Sequence, residues 1–180
     1  MEDLKGKRIA ILATDGFEES ELFKPKIVFE ENGAEVIIIA PQKGKIKGWN
    51  HVEWGKEIEV DLTVDDAKEN DYDALVLPGG VINPDKLRRV PSAVYFVKSF
   101  FDNNNPVAAI CHGPQMLIEA GVIKGRTMTS FHSIKTDLQN AGAEWVDSEV
   151  VVDNKLITSR NPSDLDAFCK KVIEKLHTEK

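Results

Sequence analysis

The stretch Pro106–Gly121, PVAAICHGPQMLIEAG, decides how the chain folds. Pro106–Ile110 reads as a short, fully apolar strand of the kind buried in a parallel sheet. It runs directly into Cys111, His112 and Gly113. A helical pattern then follows from Gly113 to Ala120, with Gly121 placed to cap it. Strand, sharp turn and helix follow one another with no polar spacer, which is the logic of a nucleophile elbow. A buried, inert cysteine is a common state for this residue. A strand-end position favours the other reading, a thiol displayed on the turn. The following helix would point its N-terminus at the sulfur and favour the thiolate. Gly113 suits the close backbone approach that such a turn needs.

Working outward, the same alternation recurs. Arg8–Thr14 (RIAILAT) is an apolar strand broken by Asp15-Gly16. Glu18–Asn32 reads as a helix, with Pro25 expected to kink it or delay its regular start, and Gly33 ending it. Glu35–Ala40 (EVIIIA) is the next strand. In the polar excursion that follows, the segments either side of Trp54-Gly55 are expected to pair as a hairpin, with Lys56–Val60 alternating. Val64–Asn70 reads as a short helix. Asp73–Leu77 is a third buried strand, stopping at Pro78-Gly79-Gly80. Pro84–Asn104 reads as one long amphipathic helix. Late strands are expected at Arg126–Thr129, Glu144–Val146, Val150–Val152 and Leu156–Thr158, a helix at Ile134–Asn140, and a terminal helix over Pro162–His177. Strands alternating with helices predict an α/β fold whose mostly parallel sheet is covered on both faces. No linker, repeat or shift in composition divides it, so one domain over 1–180 is expected.

The bulk properties fit a soluble globular enzyme or binding protein. The 180 residues are 42% hydrophobic and 29% charged, with a formal net charge of −7 and scattered basic residues. That pattern argues against nucleic acid or an anionic membrane as the main partner. No apolar run approaches the ~18 residues of a membrane span, and MEDLKGKRIAIL does not read as a secretory signal. Two distant cysteines make no disulfide framework, so a reducing cytoplasm is expected. No Cys/His/Asp cluster has metal-ligand spacing. The glycine-rich turns match no phosphate or dinucleotide loop. Neither metal nor cofactor is therefore expected.

In open parallel sheets the ligand site lies beyond the C-terminal strand ends. Three features converge there: Asp15-Gly16 with the acidic run Glu18, Glu19 and Glu21; Pro78-Gly79-Gly80; and Cys111-His112-Gly113. The amides of Gly79, Gly80 and His112 would face the thiol and could hold a developing oxyanion. His112 would be a second proton carrier or a turn histidine, and one acid of the run could face the thiol. Cys169, beside Phe168 in the terminal helix, reads as a core cysteine. Trp49, His51 and Trp54 read as a hairpin covering an edge rather than a metal patch, and His132 stands alone.

AICHGPQ, together with DGFEESEL, LPGG, GWNHVEWG and AGAEWVDSEVVVDNKLITSRNP, resembles the PfpI-like intracellular protease family of the ThiJ/PfpI superfamily, related in fold to class I glutamine amidotransferases. The resemblance covers nearly the whole chain. It implies a flavodoxin-like three-layer sandwich, assembled as a homodimer or larger homo-oligomer. It also implies Cys111 as nucleophile, His112 beside it, Glu21 as the glutamate hydrogen-bonded to the cysteine, and Gly79 and Gly80 as oxyanion glycines. A third acid supplied across a subunit interface maps to Asp85, one methylene shorter than the glutamate the resemblance leads one to expect.

These residues suit a cysteine-dependent stress-protection enzyme acting on reactive carbonyls, a glutathione-independent glyoxalase or deglycase with a small aldehyde or glycated substrate. Two alternatives use the same thiol. One is an intracellular peptidase with a Cys111–His112–Asp85 triad across subunits. The other is a non-enzymatic redox sensor or chaperone-like protein with Cys111 as its switch.

Overall fold

The structure is a computed structural model in which residues 4–178 are described. Six consecutive neighbours of its main sheet run parallel and one edge strand runs antiparallel. The strands are β1 (Arg8–Leu12), β2 (Glu35–Ala40), β5 (Leu62–Thr63), β6 (Ala74–Leu77), β7 (Val107–Ile110), β10 (Val151–Asp153) and β11 (Leu156–Ser159). Their spatial order is β10-β11-β7-β6-β1-β2-β5, with only β10 antiparallel. The helices are α1 (Glu19–Glu31), α2 (Ile82–Leu87), α3 (Pro91–Asp102), α4 (Gln115–Ala120), α5 (Lys135–Asn140) and α6 (Leu165–Thr178). Two small ribbons complete the list: β3 (Lys45–Asn50) with β4 (Glu53–Glu59), and β8 (Thr127–Met128) with β9 (Glu144–Trp145).

The strands alternate in the way a doubly covered sheet requires. Ile9 and Ile11 of β1, Ile38 of β2, Val76 of β6 and Ile110 of β7 enter one core with Phe29 of α1 and Phe168 and Val172 of α6. Ala10 and Leu12, Ile37 and Ile39, Leu75 and Leu77, and Val107 and Ala109 enter the opposite core with Phe96 and Phe100 of α3, Leu117 of α4 and Leu138 of α5. Every one of these side chains is buried. The apolar runs lack a polar face because the sheet has none to offer. This is the flavodoxin-like sandwich expected, and it brings the C-terminal ends of β1, β6 and β7 side by side, because those three strands are neighbours.

Four local expectations are corrected. The helix over Pro84–Asn104 is two helices, since Val90 is extended (φ −104°, ψ 104°) and Pro91 opens α3. Proline disfavours a helical residue before it and suits a first helical turn. The hairpin turns at His51-Val52, not at Trp54-Gly55, which lie within β4; His51 takes φ +55° to close the turn. Val64–Asn70 yields only a single 3-10 turn at Glu69–Asp71. The helix expected to start at Gly113 begins at Gln115. Pro25 lies inside α1, which runs on past it to Glu31.

The β3–β4 ribbon is clamped to the rim of the sheet. Gly16 N–H donates to Lys47 O at 2.8 Å and Trp49 N–H to Phe17 O at 2.7 Å. Trp49 meets Trp54 across the ribbon, edge to face, with ring centroids 5.4 Å apart. Among the described residues no helix is long and apolar enough to cross a membrane.

Candidate active site

Cys111 directly follows the last residue of β7 and has φ +62°, a left-handed conformation unusual for a side chain with a Cβ. Such a conformation costs on the order of 1–3 kcal/mol and persists only where surrounding bonds enforce it. Those bonds are present. Cys111 N–H donates to Ser159 O at 3.1 Å, Phe131 N–H donates to Cys111 O at 2.9 Å, and Gly113 N–H donates to Ile110 O at 2.9 Å. The chain therefore reverses at once and tips the sulfur over the strand ends. A Cβ on Gly113 would come within 2.4 Å of Leu77 O, so only glycine lets the elbow sit against β6.

Glu21 comes to the sulfur from α1. It is wholly buried, on the same stripe as Leu22, Pro25 and Phe29. Its Oε2 accepts the N–H of Gly79 at 2.8 Å. Oε1 is buried with no hydrogen-bond partner among the described residues, and the carboxyl as a whole interacts with the Cys111 thiol. Burial pushes the Glu21 carboxyl up to about 8, against the pull of the Gly79 amide and the thiol, so it is held as the neutral acid at neutral pH. Burial also pushes the Cys111 thiol up, and the charge of Glu21 adds to this when that group is ionised. The amides of Gly80 and His112 act the other way by donating to the sulfur. With Glu21 protonated its repulsion is gone and its O–H can donate to a thiolate instead.

The two glycines of the Pro78-Gly79-Gly80 turn have different tasks. The N–H of Gly79 is committed to Glu21, whereas that of Gly80 faces the sulfur beside the N–H of His112. A Cβ on Gly79 would lie 2.7 Å from both Cys111 Cβ and Glu21 Oε2. Gly79 is thus the spacer that lets acid and nucleophile meet.

His112 is buried, with Nδ1 3.3 Å from Cys111 Sγ and Nε2 3.2 Å from Ser133 Oγ. Its ring stacks on Phe131 at 5.0 Å and 27°. Burial first, and then the charge of His132, lowers its basicity, so it is a neutral imidazole at neutral pH. Asp85 is exposed in the first turn of α2 and does not line the cleft of its own chain. Sequence reading passed over Ser133. Its only signal was its place two residues after Phe131, in a turn whose approach to Cys111 no local pattern reveals.

The cleft above the sulfur has a volume of about 750 Å³, in the range of small-molecule sites. Glu18, Trp49, His51, Val81, Phe131 and His132 form much of its wall. Among the described residues no group of three His, Cys, Asp or Glu side chains is arranged to hold a metal ion. Cys169, the core cysteine, is buried in α6.

Comparison with known proteins gives this geometry a family. The profile of the DJ-1/PfpI family matches residues 7–175. The chain is 46% identical over 169 residues to deglycase TK1284 of Thermococcus kodakarensis, covering 94% of this chain and 99% of that protein. It is 46% identical over 165 residues to general stress protein 18 of Bacillus subtilis, covering 91% and 94%. Among solved structures, Drosophila melanogaster DJ-1beta superposes with a TM-score of 0.87 at 28% identity, covering 96% of this chain and 91% of that one. On the strength of matches that run through the elbow and both flanks of the sheet, the chain belongs to the DJ-1/PfpI family.

Proposed function

We propose that this protein is a cysteine-dependent enzyme that removes reactive carbonyl groups, acting as a deglycase or glutathione-independent glyoxalase. The observation that carries the reading is the pairing of a fully buried, acid-form Glu21 with a thiol on a left-handed elbow, under two converging amides. The names of relatives such as the Thermococcus deglycase support it.

The chemistry follows from the placement of those groups. The Cys111 thiolate attacks the aldehyde carbon of methylglyoxal, or the carbinol carbon of an adduct from which the amine leaves with a proton. Both routes form a C–S bond and a hemithioacetal. The oxygen that gains charge on attack faces the N–H groups of Gly80 and His112, and losing such a donor typically costs ~10²–10³ in rate. A proton then moves from the first carbon to the second, carried by His112 once it has returned the thiol proton to the substrate oxygen, or by Glu21 once it has given its own proton to that oxygen, which leaves a thioester of lactate. Water cleaves the thioester and regenerates the thiol. The sum is methylglyoxal plus water to lactate, with the electron pair moved within the substrate.

Trp49 and Phe131 suit a small carbonyl compound or a short glycated side chain, since both wall the cleft. The whole chain acts as one domain. It self-associates through α1 and the ribbon, where Ile27, Val52 and Trp54 are exposed apolar side chains. Lactate formation from methylglyoxal, and release of free amine from its adducts, by wild type, Cys111→Ala and Glu21→Gln tests the proposal, with a fluorogenic peptide assay run in parallel. Loss of both products in both variants is expected. Cys111-dependent peptide cleavage without lactate would replace the carbonyl reading with a peptidase.

A further inference from the structure

Among the described residues no carboxylate is hydrogen-bonded to His112, yet both ring nitrogens and one ring face have partners. Three tethers come from one segment. Phe131 N–H holds the carbonyl of Cys111, the Phe131 ring stacks on the imidazole, and Ser133 Oγ sits 3.2 Å from Nε2. At the opposite end of the ring, Nδ1 lies 3.3 Å from Cys111 Sγ. The segment that pins the strained elbow therefore also sets the orientation of its histidine.

We propose that Ser133 is a positioning residue that completes a Cys111–His112–Ser133 relay inside one chain, its hydroxyl oxygen accepting Nε2–H so that the Nδ1 lone pair faces the thiol. A neutral imidazole carries one proton, and the partner of one nitrogen decides which nitrogen keeps it. The sulfur is surrounded by donors: the amides of Gly80 and His112 and, at neutral pH, the acid form of Glu21. The S–H proton needs an acceptor, and Nδ1 is the one within reach. Ser133 is exposed, so its own O–H turns to solvent while its oxygen accepts. In the step itself the S–H bond breaks and the proton passes to Nδ1. The imidazolium keeps its Nε2–H on Ser133 and later returns the Nδ1 proton to the substrate oxygen or the departing amine. No oxidant or cofactor enters.

The inference rests on the reading of Cys111 as nucleophile but does not require the carbonyl substrate, and the test separates the two. Titratable groups facing His112 are Cys111 and His132, with Glu18, Glu21 and His51 in the same cleft. The experiment follows the pH profile of Cys111 alkylation by iodoacetamide, read by mass spectrometry of the Cys111 peptide, alongside lactate formation and the ¹⁵N spectrum of His112. In Ser133→Ala, alkylation at pH 7 and kcat should both fall roughly tenfold, well short of the ~10²–10⁴ of losing a general base, with KM little changed. The spectrum should lose the pure Nε2–H tautomer. Ser133→Thr, which restores the hydroxyl, should recover most of both rates. Wild-type alkylation and an unchanged tautomer in Ser133→Ala would overturn the relay. So would a loss confined to Asp85→Asn, which would give the role to an acid from another subunit. Absence of lactate in wild type, with alkylation still dependent on Ser133, would sink the carbonyl reading and leave the relay standing.

Discussion

Glu21 occupies a position that helix patterning reserves for an apolar side chain, and its behaviour with pH follows from that. Its carboxyl titrates near 8 in the folded protein and ~4.3 in an unfolded chain. Below ~4.3 both states hold the proton and the group contributes nothing. Between there and about 8 only the unfolded state ionises, so the folded state binds more protons and stability falls as pH rises. Above about 8 the whole cost, on the order of a few kcal/mol, is present. Glu21→Gln removes the titration, so its stability relative to wild type should climb between pH 5 and pH 8.5 in urea unfolding. A difference that stays flat across that range would mean Glu21 is not held as the acid. Gly79→Ala tests the same contact from the other side. Its Cβ would lie 2.7 Å from Cys111 Cβ and 2.8 Å from His112 N. A loss of at least ~100-fold in kcat is expected, on the scale of 1 Å misplacements, with folded structure retained by circular dichroism.

At the scale of elements, the strands of the main sheet were legible except the two-residue edge strand β5, and the connections were less so. β1, β2, β6 and β7 announce themselves as uninterrupted apolar runs because both faces of the sheet are covered. Pro91 marked the break between α2 and α3, but the amphipathic pattern on either side carried through it and read as one helix. The ribbon turn escaped because His51-Val52 is not a glycine-asparagine pair, and His51 carries φ +55° without the usual chemistry. The last element starts with a cap that is testable. Asn161 Oδ1 accepts the N–H of Ser163 at 2.9 Å, opening the 3-10 turn that leads into α6. Asn161→Ala should lower stability by about 1 kcal/mol, the usual cost of an N-cap, as read in urea unfolding. Asn161 also walls the cleft, so any change in KM comes through that wall, with Cys111 alkylation unaltered.

At the scale of the whole molecule, the sheet order made the site partly legible before any side chain was placed. β6, β1 and β7 are adjacent, so Gly79-Gly80, Glu18–Glu21 and Cys111-His112 had to meet. Chemistry of this kind can be read from strand ends. The division of labour between Gly79 and Gly80 could not, since it depends on which amide Glu21 captures. Nor could Ser133, whose contact with His112 spans 21 residues of chain. The proposed self-association belongs to this scale as well. Sedimentation velocity should give a mass above the 20.0 kDa of one chain, and Ile27→Asp with Trp54→Asp should lower it toward that value. A wild-type protein that sediments as a single chain at all concentrations would remove the expected assembly.

The most direct test of the central claim is the release of free amine and lactate from a freshly formed methylglyoxal adduct of an acetylated amino acid, wild type against Cys111→Ser. Wild type should release both at a rate well above the spontaneous reversal, and Cys111→Ser should match the spontaneous rate. Equal rates in the two proteins would contradict the assignment of Cys111 as the nucleophile.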